Sequence, residues 1–151
     1  MRYSPPRVSM CGRRQIERVP VMFNEKLVAT AKKLTQYCQT EQEDKGLDEL
    51  YASDCVSVEA LDMPGGPMGR EAQGLDAIRA KHQWWYENNE THSTTAEGPF
   101  LHGDDTFSVI FEMDVTDKAS GQRMQSKEVG LYTVNADGKI IREAFFYPPF
   151  E

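Results

Sequence analysis

No apolar run in the 151-residue chain approaches the roughly 20 residues that a membrane-crossing helix requires, so a helical membrane protein is excluded. Cysteine is scarce. Cys11, Cys38 and Cys55 are odd in number and contain no CxxC pair, which argues against a disulfide framework or a structural zinc site and leaves a reducing cytoplasm as the expected compartment. Positive charge is in deficit: 17 Lys and Arg against 24 Asp and Glu leave a net charge of -7, the wrong sign for a nucleic-acid partner. The chain lacks HxH, HExxH and GxSxG motifs. Pro64-Gly65-Gly66-Pro67 is no phosphate cradle, because it carries two prolines, lacks a following lysine and does not open a helix. No metal and no cofactor are expected. What is present, 39% hydrophobic and 27% charged residues, suits a single globular domain.

Charge is unevenly spread. Residues 1–22 hold five arginines and only Glu17, so this leader is +4 and the remainder -11. It has no apolar core of a secretory signal, and Pro5, Pro6 and Pro20 interrupt any long helix. It reads as a flexible basic tail, a start codon placed ahead of Met22, or a transit peptide; the domain proper is expected over 23–151.

From Asn24, a candidate cap, Leu27, Val28, Ala31, Leu34 and Cys38 recur at helical spacing. The polar stretch Glu41 to Gly46 should interrupt that helix. Leu47, Leu50 and Tyr51 suggest a short second helix, and Cys55 to Glu59 a strand. Met63 to Gly69 reads as a loop forming a flexible lip, and a third helix spans 75–88. Four strands follow near 91–101, 105–116, 122–135 and 139–148. Their turns are His102 to Asp105, Asp117 to Gln122, and Asn135-Ala136-Asp137-Gly138, whose glycine can take the positive φ of a tight hairpin. Helices followed by a strand meander make an α+β fold with helices on one sheet face.

Strand alternation sorts side chains into faces. Phe107, Val109, Phe111, Met113 and Val115 form the face toward the helices. The last two strands do not resolve, because both of their faces mix charge with large apolar groups. An outer sheet face that is also apolar suggests cover by a second copy of the chain.

Leu50-Tyr51-Ala52-Ser53-Asp54, Gly74-Leu75-Asp76-Ala77-Ile78-Arg79, Asp137-Gly138-Lys139-Ile140-Ile141 and Glu143-Ala144-Phe145-Phe146-Tyr147, in that order and spacing, resemble the SnoaL-like branch of the nuclear transport factor 2-like superfamily, which includes ketosteroid isomerases and polyketide cyclases. The resemblance covers about Asn24 to Pro148. It implies a cone-shaped fold in which three N-terminal helices pack on a curved, mainly antiparallel sheet around a blind, mostly apolar pocket. It does not imply one reaction. Counting from Tyr51, Glu59 falls where the isomerases carry their proton-shuttling aspartate, and Tyr51 and His82 fall on positions of their tyrosine network. Gly130 and Thr35 stand where their oxyanion donors would be, so steroid isomerisation is not expected.

The strand phases direct Glu59, Glu128 and Glu143 toward one cavity walled by Phe107, Phe111, Met113, Tyr132, Phe145 and Tyr147, with Trp85 at its entrance. Crowded carboxylates in an apolar room include at least one with a raised pKa, suited to general acid or base work. His82 shares a helix face with Ile78 and Trp85 and is a candidate partner for Glu59 or Glu143. Two readings stand. One is a cofactor-independent isomerase, cyclase or dehydratase acting on a hydrophobic, carbonyl-bearing metabolite, with Glu59, His82, Tyr51, Glu128 and Glu143 as its catalytic set. The other is a non-catalytic ligand-binding or dimerisation module in which the glutamates pair with groups such as Arg79 or His82. Cys38 and Cys55 lack the cationic neighbours that activate a thiolate and read as filler.

Overall fold

Helix α1 (Glu25–Gln39) starts where Asn24 caps it, its side chain accepting from the Lys26 amide, and it buries Leu27, Ala31, Leu34 and Cys38 along one stripe. The computed structural model describes residues 24–149 apart from Pro64 and Met68, so the basic leader and Cys11 lie outside the described residues. After α1 come α2 (Glu43–Leu50), β1 (Tyr51–Val58), β2 (Glu71–Gln73), α3 (Leu75–Asn88), β3 (Asn89–His102), β4 (Thr106–Asp117), β5 (Arg123–Val134) and β6 (Ile140–Phe146). The sheet runs β2-β1-β6-β5-β4-β3 and is antiparallel except for the β1–β6 pair. Three helices packed on this open mixed sheet give the expected α+β cone.

Two boundaries differ from expectation. The polar stretch after α1 is helical from Glu43, because Gly46 lies against Leu34 and Tyr37 and lets α2 bury Leu47 and Leu50. Strand β1 therefore begins at Tyr51 rather than Cys55. The short β2 was not anticipated; it pairs Gln73 with Val56 and Glu71 with Val58.

Register lines up the inner face in rows. Ser57, Glu143, Tyr132 and Phe107 form one row across β1, β6, β5 and β4. Phe145, Gly130 and Val109 form the next, and Glu128, Phe111 and Ala96 a third. The ambiguous phase of β6 has a cause: a register shift between Thr133 and Val134 leaves Ile141 exposed between buried Ile140 and buried Glu143. Phe107 stacks on Tyr132 at 5.0 Å between centroids, and Tyr132 meets Phe145 edge-on at 6.3 Å.

The β5–β6 hairpin turns at Gly138 (φ +79°), whose carbonyl accepts from Thr30 of α1 at 2.6 Å. A Cβ at Gly138 would lie 3.0 Å from Lys26 Cβ, and an L-residue at that φ is strained by about 1–2 kcal/mol. Gly138→Ala should therefore lower stability by about 2 kcal/mol, read as a shift in the urea midpoint at unchanged slope.

Candidate functional site

The inner face of the sheet places a lysine among its carboxylates. Lys81 follows Ile78 by three positions on α3, so its stem enters the core and its ammonium reaches the row beneath. Lys81 Nζ donates to Ser57 Oγ at 2.5 Å and to Glu59 Oε1 at 2.7 Å, and lies 3.9 Å from Glu143 Oε1. It also sits 4.9 Å from the centre of the Phe145 ring. Side-chain exposure is 10% for Lys81, 12% for Glu59 and 2% for Glu143, so these charges are largely withdrawn from water.

The remaining valences are filled in sequence. Ser57 donates to Glu143 Oε1 at 2.7 Å, and the Tyr51 hydroxyl donates to Glu143 Oε2 at 2.6 Å. Tyr147 donates to Glu59 Oε2 at 3.0 Å. The result is one chain, Tyr51–Glu143–Ser57–Lys81–Glu59–Tyr147, running from the core to the edge of the sheet. Burial, reinforced by Glu143, holds the Tyr51 phenol well above its ordinary pKa; burial and then Glu59 do the same for Tyr147, so both remain donors.

Glu128 stands apart. It shares the inner face with these groups, opposite Phe111, but its carboxyl has no hydrogen-bond or ion-pair partner among the described residues. Burial, the largest cause, pushes it up to about 7; the negative charge of Glu59 adds to the shift and Lys81 opposes it.

The structure thus brings Tyr51, Glu59 and Glu143 into direct contact and leaves Glu128 beside them. It does not join His82 to the chain. The His82 Nδ1 is buried without a hydrogen bond, 4.0 Å from Asp44 of α2, and burial lowers its pKa. His82 instead lines an open, polar depression of about 580 Å³ with Asp44, Arg79 and Lys118. Arg79 pairs with Asp48, so neither Arg79 nor His82 pairs with the inner glutamates; Lys81 does. Of the expected pocket wall, Phe107, Phe111 and Tyr132 are packed core, whereas Met113, Phe145, Tyr147 and Trp85 are half-buried. Thr35 donates to the Ala31 carbonyl within α1 and offers nothing inward. Burial raises Cys38 and Cys55 to about 12, consistent with packing rather than nucleophilic roles.

Lys81 and Ser57 were missed in the sequence. Their signals were a lysine on the apolar stripe Leu75, Ile78, Lys81, Trp85, and a serine sharing strand phase with Cys55 and Glu59.

A helix-covered sheet with acidic groups on its inner face defines an α+β cone of the nuclear transport factor 2-like kind. The chain belongs to the SnoaL-like family, whose domain model matches residues 22–147. A Mesorhizobium loti protein described as a candidate SnoaL-like polyketide cyclase, and also as a carbohydrate phosphatase, is 41% identical, with a TM-score of 0.72 over 80% of this chain and 97% of that one. At 19% identity, Rv0760c from Mycobacterium tuberculosis, solved with estradiol-17β-hemisuccinate, covers 82% of this chain and 94% of its own (TM-score 0.63). A Δ5-3-ketosteroid isomerase from a Mycobacterium species, at 20% identity, covers 82% and 93% (TM-score 0.60). These last two show likeness of fold. No curated protein sequence matches the chain significantly.

The raised pKa of Glu128 has a sign that stability measurements can read. Below about pH 4.5 the group is protonated folded and unfolded; between 4.5 and 7 only the folded state holds the proton, so stability falls with rising pH and levels off above 7. Glu128→Gln should remove that loss. The variant should match the parent near pH 4.5 and exceed it at pH 8 by on the order of 3 kcal/mol in urea unfolding.

Proposed function

We propose that the protein binds a hydrophobic, carbonyl-bearing metabolite on the inner face of its sheet and moves a proton on it without a cofactor, as an isomerase, cyclase or dehydratase. The observation that carries this reading is the contrast between two neighbouring carboxylates. Glu59 accepts from Lys81 and Tyr147, while Glu128 has neither partner and is raised to about 7. Environments that separate two such groups assign one as base and the other as acid. Glu59 takes the proton from the carbon next to the carbonyl, the electron pair passes to the oxygen, and the proton returns to the same or a neighbouring carbon. Glu128 supplies the acid. Tyr51, Ser57 and Glu143 act through Lys81, fixing the ammonium that orients Glu59; His82 bounds the helix side and does not touch the reacting atoms.

A steroid conjugate bound by a structural neighbour supports the ligand class for this reading. Proton exchange tests it: the chain should accelerate deuterium uptake at the α-carbon of 2-tetralone in heavy water, followed by NMR. Glu59→Gln should lose about 10²-fold or more of that acceleration. Exchange at the uncatalysed rate, or full exchange by Glu59→Gln, would refute the mechanism.

A second reading, a non-catalytic binding module, is favoured by one observation: Glu143 and Glu59 are both engaged by protein donors. Binding of 2-tetralone without exchange would select it.

The proposal includes a homodimer. Ile110, Val129 and Phe146 lie side by side on the outer sheet face, with Val129 37% and Phe146 54% exposed, which is apolar surface that a second copy would cover. Sedimentation should give a dimer for the parent chain and a monomer for Phe146→Asp. The two buried free cysteines fit a cytoplasmic setting, and none of the described helices is long and apolar enough to cross a membrane.

A further inference from the structure

His82 Nδ1 is the single buried side-chain nitrogen or oxygen without a hydrogen bond among the described residues. It lies outside the inner chain of bonds and lines the depression of about 580 Å³ to which α2, α3 and the turn after β4 contribute. Buried polar groups are almost always paired, so an orphan beside an open depression calls for a partner from outside the chain. Burial lowers the pKa of His82 and favours the neutral ring; Glu143 opposes that shift, Lys81 adds to it, and Asp44 and Glu59 oppose it. With the ring proton on Nε2, which is not among the closed-off atoms, Nδ1 presents a lone pair.

Asp44 Oδ1 stands 4.0 Å from that nitrogen, on a side chain 74% exposed. Two acceptors cannot bond each other. An ammonium donating at about 2.8 Å to each of two acceptors sets them about 4 to 4.6 Å apart, which matches this gap. Charge agrees with a cation. Arg79 is matched by Asp48, and Lys118 donates to the Tyr86 and Glu87 carbonyls on the wall that carries the Glu87 carboxylate, so the Asp44 charge is the one left over. Tyr86, 49% exposed on the same wall, adds an aromatic surface of the kind that attracts cations.

We propose that His82 Nδ1 and Asp44 together bind the primary ammonium of a small amine in this depression, with Tyr86 against its hydrocarbon part. The site lies on the helix side and does not depend on the inner-face reading of the glutamates. The exposed Asp44 side chain turns aside to admit the ligand and then closes on the ammonium.

The test titrates the full chain at about pH 7.5 with 2-phenylethylamine and with 2-phenylethanol, which carries a hydroxyl in place of the ammonium, following the His82 ring nitrogens by NMR. The amine should bind at least about tenfold tighter, the worth of one charge-assisted hydrogen bond, and should shift the Nδ1 signal. Its trimethylated form, which keeps the charge but has no N–H, should lose most of that advantage. Asp44→Asn, a change on an exposed side chain, should bring the amine down to the affinity of the alcohol. Equal affinity for amine and alcohol, a trimethylated amine that binds as well as the primary one, an unmoved Nδ1 signal, or Asp44→Asn binding the amine as the parent does would each overturn the proposal.

Discussion

A buried ammonium between two buried carboxylates is the interaction on which the rest of this structure depends. Lys81 contacts Glu59 directly and Glu143 at the limit of an ion pair, with Ser57 between them. Withdrawing such charges from water costs several kcal/mol per ion, and their attraction only roughly repays it. Well-packed apolar residues in their place are often neutral or more stable by about 1–4 kcal/mol, so stability alone gives no reason to build the cluster. A site that must hold one carboxylate in a fixed orientation next to an apolar surface does give a reason. The Phe145 ring beneath the ammonium and the hydroxyls of Tyr51, Ser57 and Tyr147 supply the hydrogen bonds and packing without which the cluster would unfold its own neighbourhood.

The same cluster determines what Glu128 becomes. One lysine cannot serve three carboxylates, and register places Glu128 in the Phe111–Ala96 row, two residues beyond Gly130 from the row in which Tyr132 faces Glu143. Burial then acts on Glu128 without an ion-pair partner to offset it. Positions on neighbouring strands thus separate a carboxyl raised to about 7, Glu128 on β5, from one locked into hydrogen bonds, Glu143 on β6. The sheet achieves this by register alone, with no residue type other than glutamate.

Much of the fold was legible because its signals are local. The stripe Leu27, Ala31, Leu34, Cys38 predicts α1, and α3 was expected over the residues it spans, Leu75–Asn88. The three strand turns fell at glycines that take positive φ: Gly103, Gly121 and Gly138. The phase of β6 was not legible, because the bulge at Ile141 breaks the period of two on which such readings depend. The site was half legible. Glu59, Glu128, Glu143 and Tyr51 follow from strand phase and resemblance, but their cation did not, since a lysine on a helix is ordinarily a solvated residue. Its place on the stripe Leu75, Ile78, Lys81, Trp85 distinguished it, and His82, one step round the helix, drew the assignment instead.

Why the helix presents lysine rather than histidine to the carboxylates follows from reach and basicity. The four-carbon stem of Lys81 crosses from the helix to the sheet row and sets its terminal nitrogen against Glu59 and near Glu143. An imidazole at the same depth is shorter, and the burial that lowers the pKa of His82 would leave it neutral. A neutral ring would leave two neighbouring carboxylates without a counter-charge. With lysine in place Glu59 and Glu143 have their counter-charge, and Glu128 on β5 is left without an ion-pair partner among the described residues. The division between carboxylates paired to a cation and one that is not is therefore a consequence of which of two adjacent α3 residues faces inward.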